Sequence, residues 1–206
     1  MKSRRKPMTA AELMAELQSD PKWIRERAEL DARQKERAEQ RLAETKLEHA
    51  SLLAELAAAG VKVRMNPKIQ LTLPPEERPG DTPVAVASIS DLVNSADSYP
   101  NAIPILIKHL RRVRHPIMVN SIARALTVKE ARGTDAALVI LDRLKETEPS
   151  STQAGDDYQD RWALANALTV VADKSMAEEL GHLLADARYQ DVKERIEKAV
   201  KNLGSR

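Results

Sequence analysis

Four cations fall within seven residues at Lys108, Arg111, Arg112 and Arg114, with His109 and His115 beside them. Guanidinium and ammonium groups at this density suit an acidic ligand, either the carboxylates of a partner protein or the phosphates of a nucleic acid. Compensation of a helix macrodipole explains one or two cations at a helix end. Four exceed that need, and Arg124, Lys129 and Arg132 lie close by in the chain. An acidic group comes later, at Glu146, Glu148, Asp156, Asp157 and Asp160. Its spacing matches no calcium loop, so it reads as helix caps and dipole partners, and no metal site is expected. Trp162 comes just after Asp160 and Arg161 and is taken with Lys108, Arg111, Arg112, Arg114 and Arg124 as the candidate binding set.

Catalytic patterns are missing from the sequence. It contains no cysteine, hence no thiolate nucleophile, disulfide framework or Cys-based zinc site. Its four histidines are too scattered for a metal motif, and six glycines leave little material for a phosphate-cradling loop. No catalytic residue and no cofactor are expected. Net charge is only +2, but the charge is divided. Residues 99–133 carry seven Lys or Arg against one acid, and residues 134–190 carry five against eleven. A basic block therefore stands beside an acidic one, which points to partner binding.

Helices must position these groups. Aromatic residues make up 2% of the chain and Phe is absent, so Ala, Leu, Ile and Val must fill the core. Residues 9–18 read as a short amphipathic helix after a basic tail at Lys2, Arg4, Arg5 and Lys6. Ser19-Asp20-Pro21 then reads as a cap with Pro in the first turn. Nothing breaks the helix from there to Ala59, where Gly60 stops it. Leu42, His49 and Leu56 fall at heptad spacing with Leu53 as a second seam position, and self-association through this helix is one expectation. Proline-rich residues 61–87 read as a linker, in which 61–65 and 69–73 alternate like strands that pair with each other or lie extended.

Apolar stripes recur after Tyr99. The first helix carries Ile103, Leu106, Ile107 and Leu110, and its partner, running from Pro116 to about Val128, carries Met118, Ile122, Ala125 and Leu126. Ala137, Ile140, Leu141 and Leu144 mark the next helix. A polar insertion separates it from one with Leu164, Ala165, Ala167 and Leu168. A third pair shows Leu180, Leu183 and Leu184, then Val192, Ile196, Ala199 and Val200. The tetrapeptide Ala-Leu-Thr-Val occurs at 125–128 and again at 167–170, an offset that stacked helical hairpins produce.

Pro116 opening a second helix, the small residues of Ile122-Ala-Arg-Ala-Leu126, and the pattern of residues 102–110 resemble HEAT repeats. More narrowly, residues 91–94, Tyr99-Pro100 and 122–126 resemble small uncharacterised bacterial HEAT-like proteins. The resemblance covers about 90–203 and implies an all-α protein: a short HEAT-like α-solenoid with a long charged N-terminal helix. The expected domains are a helical arm at 1–60, the linker at 61–87 and the repeat domain at 88–206.

For function the likeness implies a non-enzymatic binding scaffold or adaptor in the cytoplasm, of immunity or accessory type, with another protein as partner and no membrane span. The alternative implied by the same likeness is a nucleic-acid-binding protein using 108–132, or a HEAT-like DNA glycosylase. Such glycosylases place aromatic, Asp and Arg side chains on a concave surface, as Trp162, Asp160 and Arg161 would have to be.

Overall fold

A computed structural model describes residues 9, 19–63, 65–71, 84–87, 89–94, 98–148 and 156–204. The basic tail, the helix expected at 9–18 and most of the polar insertion lie outside the described residues. The protein is all-α in class, with seven α-helices among the described residues and one short two-stranded ladder. It divides into two compact units. One is Met1–Ala43 with Thr72–Thr82, and the other is Glu44–Leu71 with Pro83–Arg206.

The first described helix, α1 (Pro21–Ala58), belongs in part to each unit. Its start agrees with the expectation: Asp20 Oδ1 accepts from the Lys22 N–H at 2.8 Å, satisfying one of the first turn's orphan donors. Its end does too, because Gly60 takes φ +76° and its N–H returns to the Ala57 carbonyl. Residues 19–37, within the first unit, are almost wholly exposed. Charges one turn apart pair there, as in Arg27–Asp31 at 3.0 Å and Arg33–Glu29 at 3.5 Å.

In the second unit the same helix buries Thr45, His49, Leu52 and Leu56. Within the single chain Leu52 is buried, and Leu53 is only half-buried. Strand β1 (Met65–Leu71) pairs antiparallel with β2 (Val84–Ala87), with a register shift between Asn66 and Gln70. Of the two expectations for 61–65 and 69–73, pairing with each other is corrected: Gln70 and Leu71 pair with Ala85 and Val84, beyond the prolines. A 3-10 turn, Ile89–Asn94, comes next and buries Ile89 and Leu92.

The remaining helices come as three hairpins. They are α2 (Ala102–Leu110) with α3 (Pro116–Ala125), α4 (Ala136–Glu146) with α5 (Asp156–Val171), and α6 (Ala177–Ala185) with α7 (Lys193–Gly204). The second helices contact in succession, α3 on α5 and α5 on α7, while α2 lies against α4. Lys145 of α4 and Glu179 of α6 pair across the same layer. Every expected stripe residue from Ile103 to Leu168 is buried, as are Leu180, Leu183, Val192, Ile196 and Ala199. Leu184 and Val200 are half-buried.

Helix α3 stops at Ala125, three residues before the expected end. Tyr99 Oη donates to the Ala125 carbonyl at 2.9 Å, and Thr127 Oγ1 donates to the Ala123 carbonyl at 3.0 Å. Both supply donors to carbonyls that the ended helix leaves without a backbone partner. The two Ala-Leu-Thr-Val copies thus play different parts, one ending α3 and one lying within α5.

Candidate functional site

The basic segment is the turn between α2 and α3. Local chemistry sets its shape: the His109 carbonyl accepts from both Arg112 and Val113 N–H groups, ending α2. Pro116 then opens α3, where its missing N–H leaves no bond unmade.

Two of the four cations are held by carboxylates of the protein itself. Lys108 Nζ lies 2.8 Å from both Glu55 oxygens, and Arg111 reaches Asp135 at 2.8 Å. The hydrogen bond from Lys108 holds the Glu55 carboxyl below its ordinary range. His109 is buried beside them, its Nε2 3.3 Å from Glu55 without hydrogen-bond alignment. Burial pushes the His109 pKa down, against the opposing pull of Glu55.

Arg112 and Arg114 differ. Both are exposed, and among the described residues no carboxylate pairs with either. Among the described residues the Arg114 guanidinium donates to the carbonyls of Arg111 and Val113, at 3.3 Å each. It stands at a cleft of about 250 Å³ lined also by Pro116, Val119, Arg143, Glu146, Thr147 and Asp160. Arg143 is buried there; it donates to the Val113 carbonyl at 2.9 Å and pairs with Glu146 at 2.5 Å. Its Nε is buried with no hydrogen-bond partner among the described residues.

The rest of the basic block is elsewhere. Arg124 is exposed in the last turn of α3, about 12 Å along the axis from Pro116 at 1.5 Å per residue. Lys129 starts a 3-10 turn beyond it, and Arg132 Nε donates to the Val170 carbonyl at 2.7 Å. The cations contiguous in sequence thus occupy opposite ends of one hairpin.

Asp160, Arg161 and Trp162 do not form an open surface. Asp160 and Arg161 are 5% and 1% exposed. Arg161 makes a bidentate pair with Asp191 at 2.7 and 3.0 Å and donates to the Arg188 and Thr147 carbonyls. Its guanidinium also lies 5.1 Å from the Tyr189 ring centre. Trp162 is half-buried, with Arg195 4.8 Å from its ring.

Sequence reasoning missed Arg143 and its place in the cleft. The signal was present: a lone charge at the inward phase of α4, between Ile140 and Leu144, must find internal partners. Among the described residues no three His, Asp or Glu side chains gather as metal ligands, and no helix is long and apolar enough to cross a membrane. No protein-family profile, curated protein or solved structure matches this chain.

Proposed function

We propose that the chain is a HEAT-like α-solenoid that serves as a non-enzymatic scaffold or adaptor, docking a partner protein on the edge that carries Arg112 and Arg114. The succession of contacts α3–α5–α7 in one layer and α2–α4 in the other supports the solenoid reading, since repeats of this kind bury each stripe only against the next hairpin. The observation that carries the binding reading is the division within the turn. Lys108 and Arg111 are neutralised internally, whereas Arg114 stands at the cleft with no carboxylate partner among the described residues. An acidic side chain of a partner would supply one, and such charge-assisted pairs fix orientation as well as affinity.

The glycosylase alternative has less support. Arg161 is committed to Asp191 and two carbonyls, and Arg124 stands about one helix length from Arg114.

The test is affinity capture from the native host with three baits: wild type, Arg112→Glu/Arg114→Glu, and Arg124→Glu/Lys129→Glu. The reading expects one partner enriched by the first and third baits and lost from the second. Equal capture by all three would contradict it, and so would recovery of nucleic acid alone.

A further inference from the structure

We propose that residues 24–42 of α1 form an antiparallel coiled coil with the same segment of a second copy, an inference independent of the docking edge proposed above. The buried positions Thr45, His49, Leu52 and Leu56 recur at alternating steps of four and three, which fixes the register of this helix's inward face. Carried back through the unbroken helix, the same register falls on Leu42, Ala38, Lys35, Asp31, Ala28 and Ile24. Within the first unit Ala28 is exposed, Ile24 is 48% exposed, and the Asp31 and Lys35 side chains are 53% and 59% exposed.

This face is self-complementary in one direction only. An antiparallel second copy centred on residue 33 sets Ile24 against Leu42, Ala28 against Ala38, and Asp31 against Lys35, and each pairing occurs twice by symmetry. Each layer joins the two kinds of seam position, as antiparallel coils require. The central layers bring opposite charges together, while parallel pairing would set Asp31 against Asp31 and Lys35 against Lys35. Polar seam residues of this kind specify register at a cost in stability.

Beside the seam Arg25 faces Glu39 of the second copy. Arg27 faces Arg41, a like-charged contact, although Arg27 is already held 3.0 Å from Asp31 in its own helix. Leu42 is 7% exposed in the single chain, so the Ile24–Leu42 end layers add little buried area. The inner layers carry the specificity. Association through so short a seam is concentration-dependent.

Sedimentation equilibrium of the full chain tests this with wild type, Asp31→Lys, Lys35→Asp and the double reversal. Each single reversal puts like charges in both central layers and should raise the dimerisation midpoint about ten-fold or more, and the double reversal should restore it. Monomer in all four proteins at every concentration would overturn the proposal, as would single reversals that associate like wild type.

Orientation has its own readout, because the chain has no cysteine. Under oxidation Ala28→Cys mixed with Ala38→Cys should form a mixed disulfide, and neither alone should crosslink. Like positions at 28 lie about 15 Å apart along the antiparallel axis, beyond disulfide reach. Efficient self-crosslinking of Ala28→Cys alone would mean parallel pairing and would overturn the proposal.

Discussion

Arg33 in the charged half of α1 and Arg161 in α5 are both helix-interior arginines paired with a carboxylate. Arg33 meets Glu29 one turn away at 3.5 Å, with both side chains about two-thirds exposed. Arg161 is 1% exposed and meets Asp191, two carbonyls and a tyrosine ring, all outside its own helix. Water screens the first pair and competes for it, so it contributes a few tenths of a kcal/mol, about what such helix pairs give. The second has surrendered its hydration and depends on every partner. Identical residue types thus belong to two energetic regimes: local support of a solvated helix, and a tie between the second and third hairpins.

The largest effect should come from breaking that tie. Arg161→Ala leaves Asp191 without its bidentate partner and should cost about 3–5 kcal/mol in urea unfolding of the full chain. Arg33→Ala should change global stability by less than about 0.5 kcal/mol. Similar losses from the two variants would erase the distinction. Apolar positions sharpen it further. Ile122→Ala in α3, at 0% exposure, should cost about 2–4 kcal/mol, whereas Leu30→Ala, at 47%, should stay within about 0.5 kcal/mol.

Acid should act on the packed region alone. His49 and His109 are buried, and burial lowers both pKa values from 6.5. The unfolded chain takes up these protons near 6.5 and the folded one only at lower pH, so their contribution is complete above that value. It is lost as pH falls through the lowered folded values. Thermal melting across this range should show declining stability, and His49→Leu/His109→Gln should flatten the slope. The smallest effect is backbone-local. Ala32→Gly should reduce helical circular dichroism, at a cost of about 1 kcal/mol confined to the exposed helix, with the urea midpoint unchanged.

The helices of the packed region were legible because one face of each is apolar at helical spacing. Residues 103, 106, 107 and 110, and 118, 122, 125 and 126, are buried as their periodicity demands. What was not legible depends on distant partners. The end of α3 is capped by Tyr99, twenty-six residues from the carbonyl it meets. Alternation at 69–71 marks a strand but cannot say that its partner is 84–87. The basic segment was visible as composition, yet its division into paired and unpaired cations was not. Glu55 lies fifty-three residues from Lys108, and only the fold reveals that it neutralises that lysine while Arg114 has no such acid among the described residues. Heptad spacing selects Leu53 where the fold buries Leu52, one position out of phase, because adjacent leucines satisfy the spacing nearly equally.

Amide hydrogen exchange along α1, α3 and α5 tests the central contrast most directly. At dilutions where the chain is monomeric, residues 21–41 should exchange within the fast, locally opening regime, while residues 49–56 and the interiors of α3 and α5 should need near-global unfolding. Protection of equal strength along the whole of α1, or exchange in α5 as fast as in the exposed helix, would contradict it.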